Sequence, residues 1–316
     1  MFSICKPTIF CFHSVAGAKS DPASQSAMAV SAAYLERLIL DLRAQDVLIL
    51  SLAEAVTRIA NGDYDPFVVL TFDDGYRDNY ENLFPLMARL QAPFTLFVTT
   101  GLIDQTVPMW WDLLEKMTFA GGPAADRETP WPGDAASLGE WTKQFRSLDA
   151  DGQRRLWAKL ARSSNRFAEK DAYERSLTWP MLREMSASGL LTVGSHTKHH
   201  PMLSRLSRDE VRSEFAGARE RLEQELDVAI DYVAYPYGQP WEVGLHAKDV
   251  ARELGFKAAF STVARPLAKD DNRKLFNLPR ILLSSKAQSS NIALGYMSGL
   301  PAALKRIIAI DRAALQ

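Results

Sequence analysis

Short apolar runs alternate with amphipathic helical segments along most of the chain, and this alternation constrains the fold more than any other feature. The run TIFCFHSV opens the pattern. Residues 31 to 44 then carry Leu35, Leu38, Ile39 and Leu42 at helical spacing behind Ser31, a cap candidate. VLILSL reads as a strand, LAEAVTRIANG as a helix stopped at Gly62, and FVVLTF as a strand. The helix NYENLFPLMARLQ and the strand FTLFVTT follow. Beyond residue 180 come the helix PMLREMSASG, the strand LLTVGS, the helix RDEVRSEFAGARERLEQEL, the strand DYVAYPYG, the helix AKDVARELGF and the strand AAFST. Strands joined by helical crossovers pair in parallel, so the chain reads as α/β.

Between about 108 and 178 the pattern breaks. Six of the seven Trp lie from Trp110 to Trp179, and the Gly/Pro-rich loop AGGPAADRETPWPGD falls in the same stretch. Its apolar residues are too scattered for a separate core, so a mostly helical insertion (108–178) within a single domain spanning 1–316 is expected. The tail NIALGYMSGLPAALKRIIAI ends as an amphipathic helix. Its Lys305 and Arg306 could touch a membrane surface, although two basic residues are few for that role.

A chain of 316 residues can bury a large single core. A formal net charge of −1 argues against nucleic-acid binding by bulk electrostatics. Cys5 and Cys11 are six apart, so on a straight strand they share a face but stand too far apart for a disulfide. Both are expected as reduced thiols in a core. The start MFSICKPTIFCFHSV lacks the basic region, long apolar core and small-residue cleavage site of a signal peptide. No apolar run reaches the length of a membrane span. A cytoplasmic protein is the expectation, and oligomeric state is left open.

Chemistry-bearing residues gather where a parallel sheet places ligands, at strand C-terminal ends. In VVLTFDDGYRDNY, Asp73 and Asp74 follow a buried run, and adjacent like charges there need compensation. A regular strand would send the two to opposite faces, but a turn at Gly75 lets both face one mouth. A bound cation would then take one Asp as ligand and leave the other free to accept a proton. The competing reading makes Asp74 an N-cap of the next helix and Asp73 a solvated neighbour.

In GSHTKHHPML, three of the five His fall within five positions after another strand. His196 and His200 would share one face of a helical turn, which suits two imidazole ligands. His199 offers a rival spacing, and a polar loop of chance histidines remains the plain alternative. One carboxylate and two imidazoles from two strand ends would make an open site for Zn²⁺ or a similar divalent ion such as Co²⁺ or Ni²⁺. In YVAYPYGQPW, Pro236 and Gly238 mark a sharp loop, with Tyr235, Tyr237 and Trp241 as candidate walls for a sugar ring. A backbone N–H beside Tyr237 could serve an oxyanion. An ordinary turn with core aromatics reads equally well.

Together TFDDG, H-T-x-x-H and YPYG, in this order, resemble the polysaccharide deacetylases with the NodB homology domain, also called carbohydrate esterase family four. FHSV, LFPLMARLQAPFTLFVTTG and ARELGFKAAFST are similar to the family as well, so the resemblance runs over roughly residues 8 to 285. It implies a distorted (β/α) barrel of about seven strands and metal-dependent removal of an N-acetyl group, sometimes an O-acetyl group, from a carbohydrate. By resemblance Asp73 is the general base, Asp74, His196 and His200 hold the metal, and Tyr237 lends its backbone N–H to the oxyanion.

Two departures stand out. Where many relatives carry an Arg, four residues before the Gly of the third motif, this chain has Ala234, and it has no His after His246, where many relatives have a late general acid. His13 after TIFCF is a candidate acid, against a plain structural histidine. Arg280 in NLPRILL is a candidate to hold Asp73, against a surface salt bridge. PMWWDLLEKM could roof the mouth, with Trp111 a candidate sugar contact and core packing the competing role. His246 is given no role. The expected function is an N-deacetylase acting on an acetylated sugar or glycan in cell-surface polysaccharide or glycolipid biosynthesis. The alternatives are a deformylase or other amide hydrolase, or an inactive carbohydrate-binding homologue.

Overall fold

The computed structural model describes residues 5–17, 28–119, 135–162, 168–285 and 288–299. The strands are β1 (Thr8–Phe12), β2 (Val15–Ala16), β3 (Val30–Ser31), β4 (Leu48–Ile49), β5 (Phe67–Asp74), β6 (Phe94–Val98), β7 (Leu191–Ser195), β8 (Tyr232–Ala234), β9 (Ala258–Phe260) and β10 (Ile281–Leu282). The helices before the break are α1 (Ala32–Arg43), α2 (Leu52–Ala60), α3 (Phe84–Leu90) and α4 (Thr100–Ile103). Then come α5 (Trp110–Phe119), α6 (Ala135–Ser147), α7 (Ala150–Arg162) and α8 (Trp179–Ser186). The last are α9 (Arg208–Leu226), α10 (Pro240–Val243), α11 (Ala247–Glu253) and α12 (Ser290–Met297).

Seven parallel strands form a curled sheet in the order β10-β1-β5-β6-β7-β8-β9, with β4 added to β5. Between its ends β9 and β10, a parallel bridge from Phe260 to Leu278 spans the gap. The result is a distorted, incompletely closed (β/α) barrel. All eight residues of β5 are buried, as a parallel strand covered on both faces requires.

The two-residue period of the strands sorts the core into layers. Phe10, Phe12, Val68, Leu70 and Phe72 point outward and pack with the helices. Ile9, Phe67, Val69 and Phe260 point inward, where α2 joins them beside the strand starts. Along β1 the inward positions are Ile9 and Cys11, paired in register with Val69 and Thr71 of β5. Continuing that alternation brings His13 and Asp73 side by side at the mouth.

The helix-end signals behave as expected, and two element readings do not. Ser31 caps α1 by accepting from the Tyr34 N–H, and Ser51 and Glu54 form a capping box on α2 ahead of Gly62 at φ +75°. The VLILSL run is shorter than expected, with strand geometry only at Leu48–Ile49. The helix over 79–90 begins as a π-turn (Asn79–Leu83) before α3. Cys11 is buried and Cys5 half-buried ahead of β1, both free.

The described part of the stretch expected as an insertion holds helices α5, α6 and α7, and these gather a hydrophobic cluster of their own where scattered apolar content was expected. Trp110, Leu113 and Leu114 of α5 meet Phe145 of α6 and Trp157 and Leu160 of α7. A few large rings suffice: Trp110 stacks on Phe145 with centroids 5.0 Å apart. The Gly/Pro-rich loop with Trp131, and the terminal segment with Lys305 and Arg306, lie outside the described residues. No described helix is long and apolar enough to cross a membrane.

Candidate active site

Asp73 and Asp74 both reach the mouth because the backbone turns between them. Asp74 is left-handed at φ +73° and Gly75 follows at φ +90°. Asp73 is gripped at both oxygens by Arg280, Nη1 to Oδ1 at 2.6 Å and Nη2 to Oδ2 at 2.7 Å. Arg280 is itself fully buried, donates to Thr71 Oγ1 and the Ser261 carbonyl, and lies over the Phe97 ring. The Cys11 thiol sits 3.4 Å from Asp73 Oδ2. Burial would raise the Asp73 pKa, but the Arg280 charge, with His196 and His13, outweighs it and holds the carboxyl below its ordinary range. Asp74 has no such partner. Burial, and then the charge of Asp73, push its pKa well up.

The histidines hang from a loop, not from the helical turn their spacing suggested. After β7, Thr197 at φ +69° and His200 at φ +55° turn the chain back on itself. The β6–α4 connection cradles that loop. Thr99 Oγ1 donates to the His196 carbonyl, and the Gly101 N–H donates to the Lys198 carbonyl. A Cβ on Gly101 would lie 2.4 Å from that carbonyl, which excludes a side chain there. His199 turns away, its Nδ1 2.7 Å from Glu214 Oε1.

His196 Nδ1 lies 2.8 Å from the Ala234 carbonyl, so it carries the proton and leaves Nε2 as a free lone pair. Burial lowers the pKa of His196 and, further, of His200, so both imidazoles are held neutral. Asp74 Oδ1 stands 3.5 Å from His196 Nε2 and 3.4 Å from His200 Nε2. Those are close to the edges of a tetrahedron about a cation, roughly 3.3 Å for bonds near 2.0 Å. Asp74 Oδ1 is also buried with no hydrogen-bond partner among the described residues. A buried orphan carboxylate oxygen beside two neutral imidazoles is a donor set that fits a divalent metal.

His13 lines the same cavity of about 490 Å³, and its buried Nδ1 has no hydrogen-bond partner among the described residues. Burial lowers its pKa to about 4. Tyr237, at φ +61°, places its ring 4.8 Å from that of His200. Trp111 also packs against His200, centroids 4.9 Å apart, and donates from Nε1 to the Tyr76 hydroxyl at 2.8 Å. Trp110 and Trp111 both line the cavity, the first with its ring packed into the insertion core.

Two expected aromatic walls are absent. Tyr235 is buried against Phe215 in the outer layer, because β8 alternation sends it away from the mouth. Trp241 is 71% exposed and does not line the cavity, since the single turn of α10 points Glu242 and Val243 inward instead. His246 is exposed as well.

The sequence reading missed Tyr76, Arg146 and Glu242, which all line the cavity. Tyr76 could have been found as the aromatic directly after the TFDDG turn. Nothing local marks Arg146, whose Nη1 reaches Glu242 Oε1 at 3.2 Å across 96 positions of sequence. Nor does anything local mark Arg175, which ties Asp112 of α5 to Ser14 and Asp78 beneath the mouth.

The chain matches the family model described as polysaccharide deacetylase over residues 61–126 and 139–259. No curated relative matches it. Among solved structures it is similar to the Streptococcus pyogenes deacetylase PplD, in complex with acetate, at 19% identity and TM-score 0.63, covering 92% of this chain and 98% of that one. IcaB from Ammonifex degensii is similar at 20% identity and TM-score 0.59, with 93% and 97% covered. A de-N-acetylase from Aggregatibacter actinomycetemcomitans is similar at 16% identity and TM-score 0.57, with 91% and 98% covered. The chain belongs to the polysaccharide deacetylase family and is a carbohydrate deacetylase.

Proposed function

We propose that the protein is a metal-dependent N-deacetylase of an acetylated sugar or glycan, serving cell-surface polysaccharide or glycolipid biosynthesis. One observation carries this reading: an ionised carboxylate, Asp73, is locked by a buried Arg beside a buried Asp–His–His donor set. Asp74, His196 and His200 would hold the metal, with Zn²⁺ the favoured ion and Co²⁺ or Ni²⁺ also suited. When bound, the ion polarises the acetyl carbonyl and lowers the pKa of water.

The remaining chemistry belongs to the chain. Asp73 accepts the proton of the attacking water. Arg280 keeps Asp73 ionised and aims it, in place of the Arg absent at Ala234. The Tyr237 N–H, which has no backbone acceptor among the described residues, donates to the developing oxyanion. His13 is neutral above about pH 4 in the resting site, so the proton it gives to the leaving amine is the one that Asp73 takes from water, passed on within the site. Trp111, which packs against His200 at the mouth, presents its ring to the sugar.

The test is acetate release from N-acetylated glycans by the metal-loaded wild type and by Asp73→Asn. Turnover by the wild type about 10²–10⁴-fold above the variant supports a base-assisted deacetylase. Formate release from N-formyl sugars without acetate release would favour a deformylase. Saccharide binding with no turnover would favour an inactive homologue.

A further inference from the structure

We propose that Arg146 is a positioning residue: from the insertion helix α6 it clamps the loop that carries Tyr237, so the insertion sets the geometry of the oxyanion donor. The inference rests on the role proposed above for the Tyr237 N–H.

Tyr237 needs to be held. It is a non-glycine residue at φ +61°, a conformation that side chains disfavour. On one side the segment after β9 holds it. Thr262 Oγ1 donates to the Tyr237 carbonyl at 2.6 Å, and the Thr262 N–H donates to the Gly238 carbonyl at 3.0 Å. On the other side its hydroxyl is buried and has no hydrogen-bond partner among the described residues. That side is covered by Arg146, whose guanidinium carbon lies 4.2 Å from the Tyr237 ring centroid.

The same guanidinium reaches further along the loop. Arg146 Nη1 donates to Glu242 Oε1, while Glu242 Oε2 accepts from the Gln239 N–H at 3.1 Å. One buried carboxylate therefore couples α6 to the backbone two residues beyond Tyr237. The far end of the lever is rigid too, because the neighbouring Phe145 is stacked on Trp110 in the insertion core. The planar fork covers a ring and engages a carboxylate at once, which an ammonium cannot reproduce.

The experiment compares wild type, Arg146→Ala, Arg146→Lys and Glu242→Gln in the full chain. Amide hydrogen exchange is read by mass spectrometry, and turnover of an N-acetylated glucosamine oligomer is read on the zinc-loaded proteins. For Arg146→Ala, exchange across residues 237–243 is expected to rise roughly tenfold while β5 stays protected. Its kcat should fall about tenfold with KM within about twofold, a fraction of the loss from removing an oxyanion donor outright. Arg146→Lys should lie between, and Glu242→Gln should loosen the same segment. Unchanged exchange at 237–243 in Arg146→Ala overturns the proposal. So does a raised KM with unchanged kcat, which would make Arg146 a substrate contact instead. A wild type inert toward acetylated sugars sinks the deacetylase reading, and the exchange data then decide the clamp alone.

Discussion

Arg280 closes both arms of its guanidinium on Asp73, although the two residues lie 207 positions apart. The pair is buried, and the Arg enters from the start of β10 rather than from β8, where Ala234 stands. A planar fork from a neighbouring strand can fix a carboxylate as well as one from across the barrel, provided both oxygens are met.

Arg280→Met should expose the value of that arrangement. It leaves a buried carboxylate without its counter-charge, at a cost of about 3–5 kcal/mol. With the guanidinium gone, burial dominates and the Asp73 pKa rises, so the acid limb of the kcat/KM profile should move to higher pH. Urea unfolding and a pH–rate profile check the two parts.

Stability should also follow the charge of Asp73. Its folded pKa is depressed, so its contribution is complete above the unfolded value, about 3.9, and is lost as pH falls through the folded value. Asp73→Asn should therefore be destabilised relative to wild type at pH 7, with the gap narrowing below about pH 4. Melting curves from pH 7 to pH 3 measure it, and a gap that does not vary with pH would refute the assignment.

Asp74 should behave in the opposite sense. Its pKa is raised in the metal-free fold, so that form loses stability as pH climbs above the unfolded value. Asp74→Asn should melt above the wild type at pH 7 without metal. Saturating Zn²⁺ should reverse the order, since about 100 Kd of ligand adds about 2.7 kcal/mol to the protein that binds it. The variant should lose more metal affinity than the 10–100-fold typical of an outer-shell partner, roughly speaking. Thermal shifts with and without zinc, and a competition titration, read both.

Gly194→Ala tests the support beneath the Arg280–Asp73 pair. A Cβ there would lie 2.5 Å from the Phe97 ring, over which Arg280 rests. Overpacking should cost about 1–3 kcal/mol, and the shifted ring should lower kcat by disturbing the Arg280–Asp73 pair. Chemical denaturation and steady-state kinetics on the same preparation measure the two effects.

The parallel barrel was legible because strand and helix periods are local properties of the chain. The near-continuous apolar runs TIFCF and FVVLTF report burial on both faces, and Ser31, Ser51 and Gly62 mark helix ends by chemistry that acts within four residues. The pairing of Asp73 with Asp74 and the His cluster were likewise visible as motifs at strand ends. The helical turn invoked for His196 and His200 was not there; a loop with two left-handed residues does the same work.

What the chain alone determined, then, is the sheet, its layers and the motifs that ride on its strand ends, since each depends on neighbours a few residues away. Only the folded molecule decided that His199 leaves for Glu214, that Arg280 rather than residue 234 faces Asp73, that Trp241 points to solvent, and that Arg146 meets Glu242. Those choices depend on register, turn direction and contacts between distant segments, and no local pattern encodes them.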